Sequence, residues 1–141
     1  GRGNRYGSVI TKADNKGCVF RIETVETVLL RAFSVRICVA PTKNMDRVEW
    51  FVEKAVELGI ERISFFFGQH SERRVLKLER IEKIAVSAMK QSLQSWLPQV
   101  DEAVSLTQLL SEVGDGQRFI AHLPEDRQAL HLFTAARPAE T

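Results

Sequence analysis

Residues 41–59 read PTKNMDRVEWFVEKAVELG, with VRICVA immediately before and, after a short gap, RISFFF at 62–67. Val48, Phe51, Val52, Ala55 and Leu58 or Gly59 recur at helical spacing, which predicts one buried helix face. Asn44 is suited to the N-cap, Asp46 lies in the first turn where the helix dipole favours an anion, and Gly59 is a left-handed stop. The apolar segments at 35–40 and 62–67 predict strands on either side. Strand, helix, strand is the βαβ pattern, and it implies a parallel sheet covered by helices.

Working outward, residues 1–31 have a different character. Gly1-Arg2-Gly3-Asn4 is turn chemistry; Tyr6, Val9 and Ile10 then lead through the turn residues 13–17 into a second strand with Val19, Phe20 and Ile22. This predicts an antiparallel hairpin, extended by a third strand over 25–30. A lone hairpin is marginal in water, so the segment reads as the tail end of a small β-barrel domain. Toward the C-terminus, a polar loop at 68–74 precedes a helix over 78–96, with Leu78, Ile81, Ile84, Ala85, Ala88 and Leu93 on its buried side and Pro98 ending it. A short strand near Val100, a helix over 106–113, a turn at 114–116, a strand over 118–123 and a candidate strand over 130–133 follow. Ligands of parallel α/β sheets bind beyond the carboxyl ends of the strands, which here means the loops 41–44, 68–74 and 122–126.

Composition narrows the class. The 141 residues are 44% apolar and 27% charged, as in a soluble globular domain, and no apolar run reaches the length of a membrane span. A cytoplasmic protein is expected. The net charge of +2 says little about nucleic acid by itself. Cys18 and Cys38 have no second Cys or His at ligand spacing, so they read as small hydrophobes in strands, and no metal is expected.

The residues that could carry chemistry cluster in the loops. Lys43 precedes a helix N-terminus, where a cation is slightly unfavourable; it is either a phosphate contact or a solvated charge. Arg47 and Lys54 follow on the same helix. In Gln69-His70-Ser71-Glu72-Arg73-Arg74, the adjacent arginines suit a phosphate backbone, and equally suit pairing with Glu72 or Glu79. Lys83, Ser87, Lys90, Gln91 and Gln94 share one side of the second helix, with Gln91 beside the apolar stripe and so partly buried. Trp96 reads as a core residue or as a stacking platform. GxGxxG, P-loop, HExxH, GxSxG and CxxC patterns are missing, and no nucleophile stands beside an obvious base.

In their order, PTKNMDRVEWFVEKAVELGIERI, HSERR and AMKQSLQSWLP resemble the ribosomal RNA small subunit methyltransferase E family, of the SPOUT superfamily. The match falls on Lys43, on Lys54-Ala55-Val56-Glu57-Leu58-Gly59, on Ser71-Glu72-Arg73 and on Gln91-Ser92 with Pro98. GRGNRYGSVI is similar to the later strands of that family's PUA-like barrel. Two positions depart from the pattern: Lys90 stands where many members are acidic, and Gln94 where many carry arginine.

The resemblance implies residues 1–33 as the C-terminal part of a PUA-like RNA-binding barrel and 34–141 as the N-terminal part of a SPOUT methyltransferase domain. The family's chain has further barrel strands before Gly1 and, after Thr141, a Gly-Pro-Glu-Gly-Gly loop and the helix completing a trefoil knot. The chain therefore resembles a middle section, inactive alone. The implied reaction is methylation of uridine N3 in 16S rRNA of the small subunit by S-adenosyl-L-methionine, in a homodimer that needs no metal. The N3 proton requires a base, to which no residue is assigned, and in-line positioning supplies much of the rate. The implied RNA-binding residues are Lys43, Arg47, Lys54, Arg73, Arg74, Lys90 and Gln91. Backbone groups of His122, Leu123 and Pro124 are implied at the cofactor's adenine. The alternatives are a non-catalytic RNA-binding α/β module and a metabolic α/β enzyme with an anionic substrate.

Overall fold

The computed structural model describes residues 2–69, 71, 75–121 and 131–137. The hairpin is β1 (Asn4–Asp14) and β2 (Gly17–Thr27), antiparallel, with Tyr6 opposite Val25 and Ile10 opposite Phe20. Asp14 closes the turn: its Oδ1 accepts from the backbone N–H groups of Lys16 (2.8 Å) and Gly17 (3.1 Å). The predicted third strand over 25–30 is not separate. Residues up to Thr27 belong to β2, and the chain then leaves the ribbon as a linker.

The α/β part follows as β3 (Arg36–Val39), α1 (Met45–Glu57), β4 (Arg62–Phe67), α2 (Leu78–Gln91), β5 (Gln99–Ser105) and α3 (Leu106–Glu112), then a single helical turn, α4 (Leu132–Ala135). The three strands are parallel in the order β3–β4–β5. Val48, Val52, Ala55 and Val56 of α1 and Ile81, Ala85 and Ala88 of α2 pack on Ile63 and Phe65 of β4 as one buried cluster. Full burial of each larger aliphatic side chain contributes about 1.5–3 kcal/mol. Both helices therefore cover one face of the sheet, and both run back against the strands. The buried Leu109 of α3 lies outside that cluster, and α3 packs on β4 and β5.

The two helices end alike, although only one end is legible in the sequence. At α1, Gly59 has φ 75°, its N–H bonds to the Val56 carbonyl (2.9 Å), and Ile60 N–H reaches the Ala55 carbonyl (3.0 Å). This is the Schellman arrangement, with glycine at the left-handed position. At α2, Leu93 takes that position with φ 56°, Gln94 N–H bonds to the Met89 carbonyl (3.0 Å), and the Ser92 hydroxyl donates to the Ala88 carbonyl (2.7 Å). The helix thus stops at Gln91, not at 96, and well before Pro98. Leu93, expected in the core, is 78% exposed, and Leu58 is 74% exposed because it is the C-cap of α1.

Two further expectations are corrected. Residues 118–121 form no strand; the Arg118 guanidinium turns back to the carbonyls of Val113 (2.9 Å) and Gly114 (3.2 Å), at the end of α3. Within 130–133, Leu132 and Phe133 are helical, in a turn capped by His131.

Candidate RNA-facing edge

The crossovers put the loops after β3 and β4 side by side at the carboxyl edge of the sheet. An open cleft of about 490 Å³ lies there, lined by Ala40, Pro41, Thr42, Lys43, Gly68, Gln69 and Ser71. Each wall is shaped by its own hydrogen bonds. Asn44 Oδ1 accepts from Asp46 N–H (2.9 Å), the N-cap expected from sequence, and the Thr42 hydroxyl donates to the Asn44 carbonyl (2.9 Å). Across the cleft, Ser71 Oγ accepts from Gly68 N–H (2.8 Å) and Ser71 N–H donates to the Gly68 carbonyl (3.1 Å), folding that loop into a tight turn. Behind the cleft, Arg80 Nε stands 2.5 Å from the buried Glu49 Oε1 and ties α2 to α1; the contact is ionic, without an aligned hydrogen bond.

The sequence-derived residues divide between two ends of the molecule. Lys43 lines the cleft, and Arg47 is exposed in the first turn of α1. Lys54 lies ~10 Å further along the helix axis than Arg47. It pairs with both carboxylate oxygens of Glu57 (2.9 Å) and with Glu53 (3.8 Å). The Glu57 hydrogen bond is the chief reason its ammonium holds its proton more tightly than a free lysine does. Lys90 and Gln91 occupy the last turn of α2, at that same far end, where Gln94 Nε2 donates to the Glu57 carbonyl (3.0 Å). Gln91, expected to be partly buried, is exposed, because α2 points its 81-85-88 stripe inward. Gln94 serves the C-terminus of α1. Arg73, Arg74, His122, Leu123 and Pro124, with His70, lie outside the described residues.

One polar cluster was not anticipated. On the sheet face away from α1 and α2, Asp101 Oδ2 accepts from Arg62 Nε (2.7 Å), from the Ser64 hydroxyl and from Arg36 Nη2 (3.4 Å), while Oδ1 accepts from Gln99 (2.8 Å). Arg36 Nε also donates to Ser64 Oγ (2.7 Å), so all three strands are braced. Burial opposes ionisation of Asp101, but the hydrogen bonds from Arg62, Ser64 and Gln99 and the Arg62 charge outweigh it and hold the carboxyl below its ordinary range. The hydrogen bond to Asp101 likewise raises Arg62. The sequence signal was charge at positions 36, 62 and 101 of the three strands, and it needs the register to be read.

With this geometry in hand, comparison with known proteins is decisive. The family model described as RNA methyltransferase domain matches residues 30–140. The chain belongs to the RNA methyltransferase domain family. A probable rRNA-methyltransferase from Porphyromonas gingivalis is 38% identical, over 81% of this chain and 48% of its own, with a TM-score of 0.71. The fold is shared at 20% identity with a ribosomal RNA small subunit methyltransferase E from Neisseria gonorrhoeae bound to S-adenosyl methionine (TM-score 0.71, 81% of this chain and 50% of that one). It is also shared at 20% identity with a putative methyltransferase from Legionella pneumophila in complex with the same cofactor (TM-score 0.68, 79% and 48%). The chain thus spans about half the length of these solved structures. The resemblance drawn from the 43–98 motifs is borne out at the level of the RNA methyltransferase family.

Among the described residues, the cleft of this methyltransferase-family chain offers the Lys43 side chain, two hydroxyls (Thr42 and Ser71) and the Gln69 amide. Among the described residues no group of His, Cys, Asp and Glu could hold a metal, and no helix is long and apolar enough to cross a membrane.

Proposed function

We propose that this chain is part of an S-adenosyl-L-methionine-dependent methyltransferase that modifies uridine N3 of 16S rRNA in the small ribosomal subunit, acting in the cytoplasm as a homodimer. Residues 1–33 are the C-terminal part of a PUA-like RNA-binding barrel, and 34–141 are the N-terminal part of the SPOUT catalytic domain. The observation that carries this reading is the family match over 30–140, joined to a cleft lined by Lys43 at the carboxyl edge of the sheet. Lys43 and Arg47, with Arg73 and Arg74 of the neighbouring loop, contact the RNA backbone there; charge-assisted contacts position the nucleic acid. Lys54, Lys90 and Gln91 contact a second stretch of RNA at the far edge. The cofactor is held with backbone groups of His122, Leu123 and Pro124 at its adenine.

The test is methyl transfer from labelled S-adenosylmethionine into small subunits that lack their own modification, using the full-length protein. Label at a uridine N3 of 16S rRNA is expected. Label on another base, or on large-subunit RNA, would overturn the assignment of the target. RNA binding without transfer would favour a non-catalytic module.

A further inference from the structure

The hairpin meets the α/β part at a junction on the segment that follows α2. There Arg2 pairs with Trp96 in an antiparallel bridge, and Gly3 N–H donates to the Ser95 carbonyl (3.0 Å). Val28 N–H donates to the Gly3 carbonyl (2.7 Å), and Trp96 Nε1–H donates to the Val28 carbonyl (2.9 Å). The indole therefore stands between the entry and the exit of the ribbon. Gly3 has φ 83°, and a Cβ there would fall inside the Trp96 ring, so the two residues fit only as glycine against indole. Arg5 adds bonds to the buried Ser95 hydroxyl (2.8 Å) and the Leu93 carbonyl (3.3 Å). The linker is held a second time by Glu61, which accepts from Arg31 (2.6 Å) and from Val35 N–H (2.8 Å).

A ribbon tethered by one linker would swing about it. Holding its first strand and its exit to the same short segment, 93–96, removes that freedom before any partner arrives. We propose that Trp96 is a positioning residue for RNA binding: it wedges the hairpin at a fixed angle, so that RNA meets one pre-set surface spanning the hairpin and the adjoining Lys54–Lys90–Gln91 edge. This rests on the RNA reading of the preceding subsection. A preset angle spares the complex the entropy of ordering two bodies on binding. The wedge lies at the opposite end of α2 from the cleft, so its loss acts on RNA affinity rather than on turnover.

The experiment uses the full-length protein with Cys18→Ser and Cys38→Ser. Spin labels at Lys16→Cys and Glu79→Cys report the hairpin angle, and steady-state kinetics on small-subunit RNA report KM and kcat. Trp96→Ala is expected to broaden the label distances and raise KM about threefold to tenfold, with kcat retained. Trp96→Phe, which keeps the ring and loses only the donor, gives a smaller change in the same direction. Arg2 and Trp96 face each other in the bridge, within reach of a disulfide. In an unlabelled variant, Arg2→Cys with Trp96→Cys, oxidation restores the KM that reduction raises, which a general folding defect would not do. Label distances as narrow in Trp96→Ala as in the parent overturn the wedge. Broadened distances with unchanged KM, or a raised KM that oxidation leaves raised, overturn its role in RNA binding. Absence of methyl transfer by the parent refutes the function proposed above, and the label distances then decide the wedge by themselves.

Discussion

Replacing Asp101 by Asn keeps the shape of the side chain and removes its charge. In the structure that carboxylate receives Arg62, Arg36, Ser64 and Gln99 and is mostly shielded, with the side chain 17% exposed. A hydrogen bond to a charged group contributes about 1.5–3 kcal/mol, and stripping a fully buried partner costs about 3–5 kcal/mol. Arg62 is 39% exposed and re-solvates when its partner loses charge, so the expected loss is nearer 2 kcal/mol. That is a large part of a total stability of about 5–15 kcal/mol. Urea unfolding of Asp101→Asn beside the parent at neutral pH reads it as a lowered midpoint at unchanged slope.

The pH dependence has a definite sign. Asp101 ionises below its ordinary value of 3.8 when folded, so on acidification the unfolded chain takes up the proton first. Its contribution is complete above that value and is lost as the pH falls through the lowered folded one. The gap between parent and variant should stay constant from neutrality to about pH 5, then close in stronger acid. Equal midpoints at pH 7, or a gap that persists to the lowest pH at which both proteins fold, would refute the brace.

Three further outcomes follow. Val52, fully buried between α1 and the sheet, should not tolerate Val52→Asp: a loss of about 3–5 kcal/mol is expected in the same urea assay, and parental stability would contradict the assigned face. Leu93→Gly should stabilise by about 1 kcal/mol, because a left-handed backbone strains leucine and the exposed side chain buries little; a lower melting temperature would show that Leu93 makes contacts worth more than the strain. Arg47→Ala should weaken binding to small-subunit RNA and reduce its salt slope by about one phosphate contact; an unchanged slope would remove Arg47 from the interface.

The βαβ unit was legible because three independent signals agreed: the 48-52-55 stripe, the Asn44 cap and the Gly59 stop. Each acts within one or two turns of helix, so local sequence suffices. The end of α2 was not legible for the converse reason. Leucine carries no left-handed preference, and Pro98, a true helix breaker, stood a few residues too late to be the cause. Arg118 mimicked the start of a strand while its guanidinium was satisfying the carbonyls at the end of α3. For the site, Lys43 and the 68–71 loop were correctly placed together, since the crossover rule alone puts them at one edge. Lys54, Lys90 and Gln91 joined the same set through the family resemblance, although the same crossover rule puts the last turns of α1 and α2 at the opposite edge. The Asp101 brace and the Trp96 junction depend on residues far apart in the chain, and no local pattern announces either.

The most direct measurement of the central claim is the position of the transferred methyl group. Full-length protein, labelled S-adenosylmethionine and unmodified small subunits should yield label at a uridine N3 of 16S rRNA, with transfer weakened by Lys43→Ala. Label confined to another position, or transfer indifferent to Lys43, would contradict the assignment of the carboxyl-edge cleft to that RNA.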